Sequence, residues 1–289
     1  MDRLSLSSLA KVNLTFDIVG RRSTDGYHYV KTIMVPIELA DTITVHRTSA
    51  ITVTCEPDIA GPEAQNLAYR AAVLLKERTG YSGGAAIRVR KVIPVAGGLA
   101  GGSGNAAAVL KGLNELWGTG LSDAELVEAA IQLGSDVPFF LFQRPARVEG
   151  TGEQITFLPS TSALLIVLAT PDVAKSTGTV YRLFDQLDHV DHPDAEVMER
   201  ALAAGDVSTI GRALGNVFEP VMLPRHPEIA ALKRAMLEAG ALGALMSGAG
   251  PTVFGLVDGA EAGRALAERI RPLAARVLVT RVAASAKAT

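Results

Sequence analysis

The stretch Pro94-Val95-Ala96-Gly97-Gly98-Leu99-Ala100-Gly101-Gly102-Ser103-Gly104-Asn105-Ala106-Ala107 has the residue types that handle phosphate. Its glycines leave backbone N–H groups bare of side chains. The helical pattern behind them offers unpaired N–H groups and a partial positive charge at its start. Together these make a seat for phosphate oxygens. Two known phosphate loops fit poorly. Gly97 and Gly102 have Walker A spacing, but Ser103-Gly104 stands where Lys-Ser/Thr is required. Gly102 to Ala107 fits Gly-x-Gly-x-x-Ala, yet a second helix follows where the dinucleotide fold needs a strand ending in an acid. A glycine-rich turn with no ligand is the plain alternative, although a turn alone needs fewer glycines.

Other residues could act beside such a seat. Asp136 stands among apolar neighbours in Leu133-Gly134-Ser135-Asp136-Val137-Pro138-Phe139-Phe140. It reads either as a helix N-cap or as a carboxylate that must be paired once desolvated. Lys11, between Ala10 and Val12, reads as a solvated strand-edge residue or as a functional cation. Asp25-Gly26-Tyr27-His28 reads as a turn with two half-buried rings, or as a pocket that stacks on a planar ring. Met246-Ser247-Gly248-Ala249-Gly250-Pro251-Thr252 is a tight turn or a second wall around a phosphate.

The elements that must position these residues follow from periodicity. Residues 14–19 alternate and predict a strand with one wet face. A polar loop covers 21–26, and β-branched strands follow at 32–39, 41–46 and 51–55. Residues 66–79 put Leu67, Ala71, Leu74 and Leu75 on one helical face, with Gly80 as the stop. A strand at 86–93 leads into the glycine loop, and a helix starting at Asn105 runs to Trp117. Ser122 and Glu125 have capping-box spacing for a helix ending at Leu133. Residues 163–169 form a continuous apolar strand, and 150–162 is the expected joint, giving domains 1–155 and 156–289. Beyond it, helices are predicted at 177–187, 196–204, 210–217, 228–239 and 260–270, with strands at 252–257 and 276–283. Clustered strands, then helices, then strands again predict an α+β class.

Composition narrows the function. The chain is 48% hydrophobic and 20% charged, a globular balance, with a net charge of −2 that favours neither nucleic acid nor anionic lipid. Cys55 is the only cysteine, which excludes an internal disulfide or a multi-cysteine metal site, and it reads as a small apolar strand residue. His189 and His192 stand three apart with no further ligand cluster and read as a solvated loop. The N-terminus lacks the apolar core of a signal peptide, and no apolar run is long enough to span a bilayer. A soluble, cytoplasmic protein is expected.

Taken in order, Ala10 to Leu14, Gly20-Arg21-Arg22, Asp25 to His28, Pro94 to Ala107, Leu133 to Phe140 and Ser247 to Gly250 resemble the GHMP kinase superfamily over nearly the whole chain. The Asp25 to His28 loop with Lys11 and Asn13 upstream is similar to the branch that acts on 4-diphosphocytidyl-2-C-methyl-D-erythritol. The resemblance implies a two-domain GHMP kinase fold, its N-terminal part like domain 2 of a ribosomal S5 protein and its C-terminal part a ferredoxin-like α/β sandwich. The active site would lie in the cleft between them. It implies transfer of the γ-phosphoryl of ATP, with Mg²⁺, to the 2-hydroxyl of that small molecule, in the non-mevalonate route to isoprenoid precursors. A monomer or weak homodimer with no nucleic-acid or membrane partner is expected.

By the same resemblance Asp136 and Lys11 are catalytic, and Pro94 to Gly104 forms the ATP phosphate loop. Asn66 lies near the adenine, and Ser103 is the candidate Mg²⁺ contact. Asn13, Tyr27, His28, Thr177 (with Ser176) and Tyr181 belong to the substrate, Tyr181 as a second stacking face. This chain departs from the usual pattern with alanine for glycine at 96 and 100, and with glycine for serine at 104. The alanines narrow the permitted backbone. Position 104 lacks a hydroxyl that phosphate or metal could use. Alternatives are a GHMP kinase for mevalonate, homoserine or a sugar, a non-catalytic nucleotide binder on the same fold, or an RNA-binding module.

Overall fold

The computed structural model describes residues 2–59, 62–159 and 164–284. The first part of the chain runs β1 (Arg3–Arg21), β2 (His28–Thr48), β3 (Thr52–Glu56), α1 (Leu67–Thr79), β4 (Gly84–Arg90), α2 (Gly101–Trp117), α3 (Asp123–Leu133) and α4 (Val137–Phe142). Next come β5 (Ala146–Gly150), β6 (Gln154–Phe157), β7 (Leu165–Thr170), α5 (Thr177–Phe184), α6 (Ala195–Ala204), α7 (Val207–Arg212) and β8 (Gly215–Asn216). The last are α8 (Glu219–Met222), α9 (Pro227–Glu238), β9 (Gly243–Met246), β10 (Val253–Val257), α10 (Ala260–Ile270) and β11 (Arg276–Arg281). The class is α+β, as expected. Of the expected joint and apolar strand, Ser160, Thr161, Ser162 and Ala163 lie outside the described residues, as does Met1 of the N-terminal reading.

The chain divides into two compact units. The first holds the residues up to Ala10, Leu39–Val95 and Ala100–Gln143; the second holds Lys11–Glu38, Ala96–Leu99 and Arg144 onward. β1 and β2 therefore each start in one unit and end in the other. The two-strand reading of 32–39 and 41–46 gives way to the single strand β2. Its late half, Thr42–Thr48, pairs antiparallel with Gly84–Arg90 of β4, and its early half, Val30–Met34, pairs with β5. Asp41 does not break the strand because its carboxylate is fully buried and paired.

In the first unit α2 packs on α1 and α4, and α3 packs on α4. Residues 104–110 of α2 are all buried, so this stretch of the helix is covered on every side. Burying a Leu such as Leu110 or Leu113 stabilises by about 1.5–3 kcal/mol. Among the described residues the second unit carries an antiparallel sheet in the order β11-β7-β10-β9, with α9 and α10 packed against its strands. Its core gathers Phe16, Val167, Phe218, Met236, Met246 and Leu266.

Two other expectations change. Residues 10–18 of β1 are all buried, so there is no wet face. The polar side chains there are paired: Asn13 Nδ2 donates to Thr32 Oγ1, Ile33 N donates to Thr15 Oγ1, and Asp17 meets His192 Nδ1 at 2.7 Å. His192 is thus tied to the strand rather than lying in a wholly solvated loop. The predicted helix at 210–217 is instead the end of α7 followed by β8, which pairs parallel with Thr15–Phe16. Asp206 starts α7 by accepting from Thr209 N, so the turn begins earlier than the apolar pattern suggests. The capping box at Ser122 and Glu125 is present in both directions. Ser122→Ala should lower unfolding free energy by about 1 kcal/mol, read as a fall in urea midpoint at unchanged slope.

Candidate active site

In the first unit, Asp41 fixes the approach to the glycine loop. Its carboxylate pairs with Lys91 and accepts from Val92 N at 2.6 Å and Ile93 N at 2.9 Å. The helix then begins at Gly101, four residues before the expected onset, because Ala100 caps it in the left-handed region at φ 53°. The N–H of Gly104 bonds Ala100 O, which leaves those of Gly101, Gly102 and Ser103 as first-turn donors outside the helix ladder. Gly104 is explained by packing rather than by phosphate. A Cβ there would lie 2.7 Å from Ser8 Oγ and 2.9 Å from Leu9 O, so a serine side chain would point into the interior.

Asp136 precedes α4 with no hydrogen bond from its side chain to the helix start. The N-cap reading fails because Pro138 near the helix start and the Val137 N to Gly134 O bond organise that turn without it. Its carboxylate is half-buried. Asn66 caps α1, accepting from Ala68 N at 2.9 Å, and its Nδ2 reaches Cys55 Sγ at 3.5 Å. Burial pushes the half-buried Cys55 thiol up from its ordinary range.

In the second unit, Lys11 is 3% exposed, so the solvated-edge reading is overturned. Its Nζ donates to Asn13 Oδ1 at 2.6 Å and to Gly98 O at 3.2 Å. The small-residue loop after β9 closes on the same segment. Ser247 Oγ donates to Gly98 O at 3.1 Å, and Thr252 N donates to Gly97 O at 3.2 Å. A Cβ at Gly98 would stand 2.3 Å from Ser247 O, and one at Gly248 would stand 3.3 Å from Lys11 Nζ. The two glycine-bearing loops thus meet backbone to backbone, beside a buried ammonium. Asn216 holds the second loop in place: its Nδ2 donates to Met246 O and Gly248 O, while its Oδ1 accepts from Phe218 N. Sequence reading missed this residue, which it placed inside a helix over 210–217.

His28 and Tyr181 come together with ring centroids 4.8 Å apart, and Tyr181 stands edge-on to Phe218. Asp185, at the end of α5, holds the His28 ring through Nε2 at 2.7 Å and also reaches Arg21 at 3.4 Å. No spacing rule pointed to Asp185, because the contact spans distant parts of the chain. Tyr27 is 47% exposed rather than half-buried, and the Arg22 guanidinium lies 5.5 Å from its ring centre. The hydrogen bond from Arg22 holds the Asp25 carboxyl down at about 2. Thr177 is exposed at the start of α5, one turn before Tyr181. Among the described residues no three His, Cys, Asp or Glu gather as a metal cluster, and no helix is long and apolar enough to cross a membrane.

Ala96 at φ 55° and Ala100 at φ 53° both sit where an L side chain is strained. Ala96→Gly and Ala100→Gly should each raise unfolding free energy by about 0.5–1 kcal/mol, the αL relief less the added unfolded-state entropy. Urea unfolding measures this; a lowered midpoint would contradict the strain.

Comparison with known proteins places these features in a family. Residues 66–144 match the GHMP kinases N terminal domain, and residues 198–273 match the GHMP kinases C terminal domain. A 4-diphosphocytidyl-2-C-methyl-D-erythritol kinase of Symbiobacterium thermophilum is 61% identical over 274 residues, covering 94% of this chain and 97% of that one. The protein of the same name from Pelotomaculum thermopropionicum is 47% identical over 94% of this chain and 95% of its own. A crystal structure of 4-(cytidine 5'-diphospho)-2C-methyl-D-erythritol kinase superposes with TM-score 0.80 at 34% identity, covering 97% of this chain and all of that one (100%). A homoserine kinase from Cytophaga hutchinsonii, at 19% identity and TM-score 0.77, shares the fold. With both domain matches in place and identity this high along nearly its whole length, the chain belongs to the 4-diphosphocytidyl-2-C-methyl-D-erythritol kinase family of GHMP kinases.

Proposed function

We propose that this chain transfers the γ-phosphoryl of ATP to the 2-hydroxyl of 4-diphosphocytidyl-2-C-methyl-D-erythritol. The observation that carries the reading is the 61% identity, over 94% of the chain, to a kinase of that name. As a kinase acting on an alcohol, the protein must align donor and acceptor and offset spread negative charge, since phosphoryl transfer asks little covalent work of its side chains. The N–H groups of Gly101, Gly102 and Ser103, with the Ala96–Leu99 segment before them, receive the ATP phosphates. Asp136 orients the hydroxyl and takes its proton. Lys11 offsets charge on the transferring group. Asn13 touches the substrate, and Asn66 lies by the adenine. The cytosine end stacks on Tyr27, His28 and Tyr181, with Thr177 beside it.

Mg²⁺ suits this donor set as an ion shared with phosphate, because such ions keep waters and phosphate oxygens and need only one or two protein ligands. Ser103, half-buried on the first turn of α2, is the residue that would hold it. When bound the ion would neutralise phosphate charge. We read the enzyme as cytoplasmic, and as a monomer or weak homodimer.

Two tests follow. Asp136→Asn should lower turnover by about three orders of magnitude or more while the protein stays folded. Near-normal turnover, with ADP release measured on the cytidyl substrate, mevalonate and homoserine in parallel, would sink the assignment; so would release with either of the latter two alone. Tyr27→Ala should weaken the cytidyl substrate far more than ATP in a titration, and equal losses would remove Tyr27 from that pocket.

A further inference from the structure

The segment between β7 and α5 contains a lysine that no step above uses. Lys175, like Val173, is half-buried, while Asp172, Ala174, Ser176 and Thr177 around them are exposed. Lys175 Nζ donates to Thr177 Oγ1 at 3.2 Å, and no carboxylate pairs with it among the described residues. Burial, together with the like charge of Lys11, pushes its ammonium down to about 8. A half-buried ammonium with no carboxylate beside it is favoured by an anion placed next to it.

The start of α5 adds donors to the same place. Ser176 makes no side-chain cap there, and the first bonds of the helix run from Thr179 N and Val180 N to Ser176 O. The N–H groups of Thr177 and Gly178 are thus left outside the ladder. One turn further on, Tyr181 lies against His28. A helix turn rises about 5.4 Å, which is about the reach of a ribose between a base and its first phosphate. An ammonium, two N–H groups and a hydroxyl at one end and a ring pair at the other match a nucleoside diphosphate.

We infer that Lys175, with Thr177 and the start of α5, binds the diphosphate of the alcohol substrate while His28 and Tyr181 take its base. This rests on the function proposed above and adds to it a charged residue for the acceptor side.

The test uses the full chain with Lys175→Met and Lys175→Arg, and measures KM for both substrates as well as direct binding of CDP and of cytidine. For Lys175→Met we expect KM for the cytidyl substrate and Kd for CDP to rise about tenfold, the loss of one charge-assisted contact. Cytidine binding, KM for ATP and the urea midpoint should stay as in the wild type, and Lys175→Arg should restore most of the loss. An unchanged KM for the cytidyl substrate overturns the inference. So does a rise confined to ATP, which would give Lys175 to the donor, or equal weakening of CDP and cytidine, which would make its role structural. A wild-type enzyme that fails to turn over the cytidyl substrate would instead refute the proposed function, separately from any effect at Lys175.

Discussion

The buried ammonium of Lys11 fastens the glycine loop to the strand that carries it. Its Nζ bonds Gly98 O and Asn13 Oδ1, and its own N–H bonds Leu99 O at 3.2 Å. Asn13 is in turn tied to Thr32, whose hydroxyl donates to Thr15 O at 2.6 Å. The chain of bonds therefore runs from the inside of the sheet to the middle of the loop. A buried acceptor left without its donor costs about 1–3 kcal/mol. Lys11 is for that reason a residue of the fold as well as of the chemistry proposed for it, and loss of its side chain disturbs the loop it fastens. Asp136 differs, since its local turn forms without the carboxylate.

The ring pair of His28 and Tyr181 depends on the core in a similar way. Tyr181 rests edge-on against Phe218 at 4.9 Å, and Phe218 lies 4.9 Å from Phe16 of β1. Phe218 is completely buried. Its neighbour Asn216 spans from β8 to the loop around Gly248. A short segment, two residues of strand and the turn after it, thus supports both the aromatic end and the glycine-bearing end of the second unit. Edge-to-face aromatic pairs are worth about 0.5–1.5 kcal/mol beyond area burial, so the rings are held by packing that exists without any ligand.

The helix behind the glycine loop and the Ser122 cap are readable in the sequence, because glycine density and capping spacing are local signals. The sequence did not show where α2 starts. Four residues of poor or middling propensity, three of them glycine, argued against a helix over 101–104, yet close packing of Gly104 against β1 decides in favour of one. It misplaced the side chains of β1, whose alternation of Thr15 and Asp17 with apolar residues looks half-wet until their partners Ile33 and His192 are known. Asp185, Asn216 and Lys175 escaped for one reason. Each matters through groups far along the chain, or through burial, and neither leaves a spacing to read. Sequence reading names Tyr27, His28 and Tyr181 for the ring end, and of the first two it is His28 whose ring meets Tyr181.

Two alanines in left-handed conformation flank Gly97-Gly98-Leu99. Local preference would send each methyl-bearing residue elsewhere, so the bend is imposed by its surroundings and survives only while they do. The same methyls deny the unfolded chain many of the states that glycine would sample. The loop proposed to receive the triphosphate is consequently preorganised: little ordering would remain when nucleotide arrives, and more of the contact energy would be expressed as affinity. A loop of this kind is moulded by the protein before the ligand comes, rather than by the ligand on arrival.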